Sequence, residues 1–524
     1  MTHETPSQTT PPAAPDQAPM PDARPITRPS WSDSRTLTAL RSPRILTREL
    51  LAGLVVAIAL IPEAIAFSII AGVDPRLGLF SSFVMAVAIA FLGGRAAMIT
   101  AATGAIALVI APVAREYGTD YLIATVILGG IIQLVMAAAG VAKLMRFIPR
   151  SVMVGFVNSL AILIFTAQLP YLFGVPWEVY PLVALGLLIM VGMPRLTTVV
   201  PAPLVAVAVV TGVMVLMAIT VPNVGDQGEL PESLPALLWP DVPLTMETLG
   251  IILPYAIAMA VVGILESLLT AKLVDDITDT PSGKTRESYG QGAANILSGL
   301  FGGMGGCAMI GQTMINVKAS GARTRISTFA AGVFLLVLVL ALGDLVAIIP
   351  MAALVAVMIM VSIATFDWHS VQLNTLKRMP KSETTVMAAT VIAVVLTHNL
   401  AIGVALGVIV AMVLFARRVA HFATVDRTVL DAPDGSAYAL YRVDGELFFA
   451  SSNDLTTQFW YRDDPDAIVI DLSQSHIWDA STVAALDAIV TKYERFGKSV
   501  EIVDMNAESH ALHARLAGHL GAGH

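Results

Sequence analysis

Two acidic residues stand inside apolar runs: Glu63 in Ile61-Pro62-Glu63-Ala64-Ile65-Ala66-Phe67, and Glu266 in Ile264-Leu265-Glu266-Ser267-Leu268-Leu269-Thr270. A carboxylate held away from water is costly unless it is protonated or paired. An ionisable group at membrane depth is by default a functional candidate. No Lys or Arg lies within ten residues of Glu63. Its carboxyl could therefore take up and release a proton during a transport cycle, and the proton would cancel its repulsion of an anion. The competing role for either acid is a structural hydrogen bond to a broken helix end. For Glu266, with Ser267 and Thr270 beside it, sodium coordination is a further reading.

About forty to forty-five residues after each acid comes an interrupted segment, at Thr103 after Glu63 and at Gly311 after Glu266. Met98 to Val113 has an apolar helical part of only about ten residues, Gly104 to Val113, behind the small, β-tolerant Thr100-Ala101-Ala102-Thr103. Gly305 to Ser320 opens Gly305-Gly306-Cys307-Ala308 and then holds Gln312, Thr313, Asn316 and Lys318. A lipid-facing helix would not tolerate those polar groups. Irregular backbone at membrane depth survives only when buried in protein or lining a cavity, and paired interrupted segments in corresponding halves mark a transporter site. If both segments start their helices at mid-membrane, each presents unpaired N–H groups and about half a positive charge. Two such ends aimed at one point hold an anion without a cationic side chain. The first would use Thr103, Gly104 and Ala105; the second Gly311, Gln312 and Thr313. Glycine lets an anion approach the backbone, and Thr and Gln add donors. Close helix packing would also explain Gly104 and Gly311, but not the polarity of Gln312 and Thr313. Phe67, one turn after Glu63, either packs or walls the site.

The elements that must position these groups are membrane spans. Of 524 residues, 56% are hydrophobic and only 13% charged, with a mean hydropathy of +0.75; soluble domains carry about 25% charged residues. Fourteen candidate spans fall roughly at 49–67, 76–93, 100–114, 120–140, 148–170, 178–193, 201–220, 247–269, 288–301, 308–320, 324–342, 349–365, 384–397 and 400–418. With the N-terminus inside, the inner loops collect Arg95, Lys143, Arg146, Arg150, Arg195, Lys272, Lys284, Arg286, Lys318, Arg323, Arg325, Lys377, Arg378 and Lys381, and Arg417 and Arg418 close the last helix. The outer loops hold only Arg76 and Arg115, and the long loop 221–246 carries Asp226, Glu229, Glu232 and Asp241 without a Lys or Arg. Because cytoplasmic loops collect positive charge, both termini are expected in the cytoplasm. Each acid is expected near the end of the first long helix of its half. Seven spans separate the two copies, and an odd number forces opposite orientation, so residues about 44–220 and 247–422 form an inverted repeat. Residues 1–43, rich in Pro, Thr, Ser and Ala, read as a disordered tail without a signal peptide. Residues 436–524 read as a small cytoplasmic α/β domain, with strands at Ala439 to Val443, Leu447 to Ala450, Ala467 to Leu472 and Val500 to Val503 and a helix at Thr482 to Phe496. The lone Cys307 excludes an intramolecular disulfide and cysteine-clustered metals, the nine histidines show no ligand spacing, and no cofactor or nucleic-acid partner is expected.

Ile61 through Ser68, followed by Ala71-Gly72-Val73-Asp74-Pro75-Arg76-Leu77-Gly78-Leu79-Phe80, resembles the signature of the SulP (SLC26) anion transporters; Asn316 through Arg325 is similar to that family's second-half motif. The resemblance covers residues 44 to 524. It implies fourteen spans in two inverted repeats of seven, a core domain moving against a gate domain, and a homodimer. It also implies substrate binding between the third and tenth spans, with Glu63, Phe67, Thr103, Gly104, Gln312 and Thr313 in the site. Most members have glutamine where Glu63 stands, so the acid favours proton symport over exchange. Many animal members have arginine where Thr313 aligns. The C-terminal domain is similar to the family's STAS module, with Asp479-Ala480-Ser481-Thr482 where bacterial regulators carry a phosphorylated serine; here alanine takes that place, and an interaction role is expected.

The chain is thus expected to be a bacterial inner-membrane secondary transporter of a small anion and not an enzyme. Proton symport of a carboxylate such as fumarate is favoured over sodium-coupled bicarbonate or sulfate transport. A nucleobase carrier of the same fold and a membrane sensor signalling through STAS are the other readings.

Overall fold

The structure, a computed structural model, describes residues 35–144, 148–196, 201–420, 423–431 and 436–518. The first half reads α1 (Pro43–Ala71), α2 (Pro75–Leu92), β1 (Thr100–Ala101), α3 (Gly104–Tyr117), α4 (Thr119–Ala138), α5 (Arg150–Thr166), α6 (Val179–Leu196) and α7 (Ala202–Leu216). The second half repeats the order: α8 (Met246–Thr278), α9 (Lys284–Leu300), β2 (Cys307–Ala308), α10 (Ile310–Met314), α11 (Arg325–Ala341), α12 (Met351–Thr365), α13 (Lys381–Thr397) and α14 (Leu400–Ala420). A widened π-helical turn, Ile315–Ala319, continues α10. Each candidate span coincides with a helix; among the described residues seven helices are long and apolar enough, by length and composition, to cross a bilayer. Proline punctuates the chain. Pro43 and Pro75 open α1 and α2, where a fixed φ suits the first turn and the missing N–H has no partner to lose.

Helix packing separates two groups. In one, α4 lies on α9 and α8, and α11 lies on α1 and α2; in the other, α13 lies on α14 and α5, and α6 lies on α7 and α12. α1 meets the second group through α7 and α12, and α3 meets it through α5. The two interrupted segments cross inside the first group. β1 pairs antiparallel with β2, Thr100 opposite Ala308 and Ala101 opposite Cys307, and the Met309 N–H donates to the Ile99 carbonyl at 2.9 Å. A Cβ on Gly306 would stand 1.9 Å from the Ala101 carbonyl oxygen, so this crossing admits only glycine at that position.

The C-terminal sheet runs β3 (Thr424–Asp431), β4 (Ala437–Leu447), β5 (Ala467–Ile477), β6 (Ser499–Val503), with β3 antiparallel to β4 and the rest parallel. α15 (Phe449–Leu455), α16 (Ala480–Arg495) and α17 (Ala507–Leu516) complete it. Buried Asp464 accepts from Tyr441 Oη and Arg427 Nε at 2.7 Å and from Tyr493 Oη. Burial, and then the bond to Asp464, push the Tyr493 phenol up.

Three expectations are corrected. A helix, Arg35–Arg41, lies inside the stretch read as tail; residues 1–34, and Arg146 within 145–147, fall outside the described residues. The acids are interior: α1 runs roughly two turns past Glu63 to Ala71 and α8 roughly three turns past Glu266 to Thr278, because α1 stays apolar up to the Gly72 cap and α8 continues through Lys272, Asp275 and Asp276 after its apolar stretch ends. In the C-terminal domain the expected strand at Leu447 to Ala450 is the end of β4 followed by α15. The sheet begins at Thr424 rather than after 436, since β3 is a polar edge strand with little apolar alternation to read.

Candidate functional site

Thr103 caps α3. Its backbone is extended, its hydroxyl accepts the Ile106 N–H at 3.4 Å and its carbonyl accepts the Ala107 N–H at 2.9 Å. α3 therefore begins at Gly104 as the interrupted pattern required, and reaches Tyr117, longer than the ten-residue apolar part. On the opposing side α10 begins at Ile310, and the Thr313 N–H already donates to the Met309 carbonyl at 3.0 Å. Helix geometry leaves the amides of Gly104 and Ala105, and those of Ile310, Gly311 and Gln312, without intrahelical acceptors. Gly104 and Ala105 are buried, whereas Gly311 is exposed with open space where a side chain would stand.

Glu63 is bonded directly across the repeats, and Glu266 is linked across them through Cys307. Gln312 Nε2 on α10 donates to Glu63 Oε1 on α1 at 2.8 Å. In the other half Cys307 Sγ donates to Glu266 Oε2 at 2.9 Å and meets Thr103 Oγ1 at 3.1 Å. Thr103, Cys307 and Glu266 thus form a hydrogen-bonded chain from the cap of α3 to α8. All five side chains are buried, Glu63 at 8% and Glu266 at 6% exposure being the least so. Phe67 is buried and stands against the start of α3: a Cβ on Gly104 would lie 2.8 Å from Phe67 Cε1 and 3.1 Å from Ile164 Cδ1. Phe67 is thereby a packed wall, and Gly104 meets both a helix of its own group and α5 of the other.

Two expected site hydroxyls, Thr313 for the anion and Thr270 for a coupling cation, are hydrogen-bonded within the protein. The Thr313 hydroxyl accepts the Ile99 N–H at 3.0 Å, fastening the junction before β1, and Thr270 Oγ1 donates to its own helix at the Glu266 carbonyl, 2.8 Å away. The Thr313 O–H in turn donates to the Ile99 carbonyl at 3.5 Å, and Thr270 back-bonds as hydroxyls within helices do.

The sequence profile of the Sulfate permease family matches residues 46–181 and 178–390, together well over half the chain, and that of the STAS domain matches residues 430–520. The chain belongs to the Sulfate permease family. The Bacillus subtilis "Putative sulfate transporter YbaR" is 50% identical over 470 residues, spanning 90% of this chain and 97% of that relative. The bicarbonate transporter BicA of a Picosynechococcus strain is 26% identical over 84% of this chain and 86% of its own length. Among solved structures, the transmembrane domain of a cyanobacterial BicA aligns with a TM-score of 0.61 at 25% identity, over 71% of this chain and 98% of its own. The murine Solute Carrier 26 family member A9 anion transporter, solved inward-facing, aligns with a TM-score of 0.75 at 17% identity over 91% and 88%, and shares the fold. Membership of the Sulfate permease family makes the chain a multi-pass membrane transport protein with a C-terminal STAS domain, and not an enzyme.

Within this Sulfate permease fold a polar stripe on α9 holds the two helix starts in place, and motif reading passed over it. Glu287 accepts the Gly94 and Arg95 N–H groups at 2.7 and 3.0 Å and Gln291 Nε2 at 2.9 Å; Gln291 also donates to Thr100 Oγ1 at 3.1 Å. Asn295 grips Gly306 through both backbone groups, 3.1 and 2.9 Å, and donates to Gln133 Oε1 at 2.9 Å. Ser298 bonds Ser81 at 2.9 Å. The signal was available: Glu287, Gln291, Asn295 and Ser298 recur at helical spacing, the last three within the small and apolar second half of the helix. Cys307 was read only as a lone cysteine; its place between Thr103 and Glu266 depends on the strand crossing, which sequence spacing does not reveal. The charges expected merely to set topology also stitch loops. Arg325 donates to the Gly93 and Ala90 carbonyls at 2.7 and 3.1 Å, the Arg323 guanidinium donates to the Val317 and Ala322 carbonyls at 2.6 and 2.7 Å, and Arg95 pairs with Asp275 at 3.0 Å.

Proposed function

We propose that the chain is a proton-coupled secondary transporter of small anions, binding the anion between the starts of α3 and α10 and carrying the proton on Glu63. The observation that carries this reading is the Gln312–Glu63 bond, which joins a first-turn residue of one half-helix to a buried acid of the other repeat beside two sets of free amides. An ionised carboxylate there would repel the anion and would stand in a medium where an unpaired charge costs several kcal/mol; a proton removes both penalties. The names of the relatives, sulfate and bicarbonate transporters, bring small oxyanions into the substrate class, and fumarate is the carboxylate to test beside them.

In this proposal residues 44–422 are the transport domain, with repeats at about 44–220 and 247–422, and the STAS domain begins at Thr424. The chain lies in the bacterial cell membrane as a homodimer, both termini cytoplasmic, with the core group moving against the gate group. Sodium coupling is the second reading: the Glu266 carboxylate, which accepts one bond from the Cys307 thiol, and the Thr270 oxygen, whose proton goes to a backbone carbonyl, would be its ligands.

The test is uptake by proteoliposomes under an imposed inward proton gradient, with labelled sulfate, bicarbonate and fumarate in parallel. Wild type should concentrate one of them in a pH-dependent manner, and Glu63→Gln should remove the pH dependence. Uptake by Glu63→Gln that stays as pH-sensitive as wild type would overturn the coupling role.

A further inference from the structure

Gln312 is 2% exposed, and its amide is half used: Nε2 donates to Glu63 Oε1 at 2.8 Å, while Oε1 is buried without a hydrogen-bond partner among the described residues. A buried acceptor left without a partner has given up its bonds to water for nothing, so this orphan calls for a donor. The nearest change that supplies one is at Glu63 itself. An ionised carboxyl only accepts, whereas a protonated one donates through its O–H.

We propose that Gln312 is a protonation-driven amide switch. With Glu63 ionised, Nε2 is held by the carboxylate and withheld from the substrate. When a proton from the aqueous phase adds to Glu63, an O–H bond forms and the carboxyl becomes a donor. The amide then turns over about its last torsion, Oε1 accepts the O–H, and Nε2 is released beside the free N–H groups of Ile310, Gly311 and Gln312. The anion gains a neutral donor at the same moment that it loses a repelling charge. Loss of the proton on the other side reverses both changes. The proposal rests on the proton-coupled reading above and goes beyond it in naming the group that transmits protonation to the anion.

The surroundings leave Gln312 as the transmitting group. On α1 the charged residues Arg44, Arg48 and Glu49 stand at its start. Those of α2, α3, α10, α11 and the Arg35–Arg41 helix are terminal as well: Arg76 at the start of α2, Arg115, Glu116 and Tyr117 at the end of α3, Lys318 after α10, Arg325 at the start of α11, and Arg35 and Arg41; α8, which packs on α10, carries Glu266 and, toward its end, Lys272, Asp275 and Asp276. α7 and α12 carry no titratable side chain. Arg115 bonds the Ile70 carbonyl and Arg325 the carbonyls after α2. Glu266 and Cys307 are bonded to each other.

The experiment is pH-difference infrared spectroscopy of the reconstituted protein without substrate, the neutral-carboxyl band of Glu63 being assigned by its loss in Glu63→Gln. Gln312→Met keeps the side-chain length but removes the amide. The switch expects the Glu63 band to move to a higher, less hydrogen-bonded frequency in Gln312→Met, and in Gln312→Asn should the methionine variant fail to fold. It also expects the anion KM, measured with the anion identified by uptake, to change by up to about tenfold per pH unit in wild type, as one linked proton dictates, and less steeply in the variant, where only the charge on Glu63 still couples the proton to the anion. An unmoved Glu63 band, or no band assignable to Glu63, overturns the switch. If the band moves but no anion is carried, the switch geometry stands and the transport reading fails.

Discussion

Glu63 and Glu266 occupy corresponding stations in the two repeats, yet their partners differ in kind. Glu63 is met by an amide that can reverse its polarity; Glu266 is met by a thiol that bridges to the cap of α3. That asymmetry assigns different work to each. In the proposed function Glu63 changes charge during the cycle, and Glu266 holds the start of α3 in line through Cys307. Cys307→Ala should therefore lower the thermal stability of the purified protein by the equivalent of about 1–3 kcal/mol, the scale of a buried polar group losing its partner, while Cys307→Ser, which can still donate and accept, should recover most of it. In both variants uptake should keep the wild-type pH dependence. A Cys307→Ala protein that is as stable as wild type would show that the thiol bridge does not position α3.

At the scale of the element, the decisive local events are the two helix starts and the strand crossing that aims them. Much of this was legible. Small residues before Gly104 and the polar run from Gln312 to Lys318 break the apolar pattern where α3 and α10 begin, because no lipid-facing helix tolerates such a break. What was not legible depends on long-range pairing. The engagement of Thr313 by Ile99, the insertion of Cys307 between Thr103 and Glu266, and the role of Ile310 as a free amide all follow from the β1–β2 register. β3 escaped for a local reason, its exposed polar edge. Two glycines separate positioning from binding. Gly306→Ala would drive a Cβ into backbone 1.9 Å away, so strands must part, and loss of folded protein in size-exclusion chromatography is expected. Gly104→Ala meets the edge of Phe67 and the tip of Ile164, side chains that can shift, at a cost of about 1–3 kcal/mol. It should fold and transport more slowly, with a raised KM. Unchanged transport by Gly104→Ala would remove Gly104 from the site.

Across the whole molecule, charge and cavity are segregated by end. Arg95, Asp275, Lys284, Arg323 and Arg325 knit one end, with Lys284 2.7 Å and Arg95 3.0 Å from Asp275. At the other end the acidic loop folds down, Arg76 pairing with Glu229 at 2.7 Å, and encloses a cavity of about 660 Å³ lined by Arg76, Glu229, Glu232 and Asp344. A second, apolar hollow of about 500 Å³ lies beside Pro62, between α1, α7 and α11, where the two helix groups meet. The larger cavity has the more obvious charge, but its cation is already paired and its other charged lining groups are acids, which disfavours an anion there. In the proposed function the substrate sits instead where helix ends supply positive potential without a cation. The most direct test is a density map of the reconstituted protein saturated with the anion that uptake identifies. The account expects anion density within about 3 Å of the amides of Gly104 and Ala105 on one side and of Ile310 to Gln312 on the other. Density confined to the cavity beside Arg76 and Glu229, or an empty space between the two helix starts under saturating anion, would contradict it.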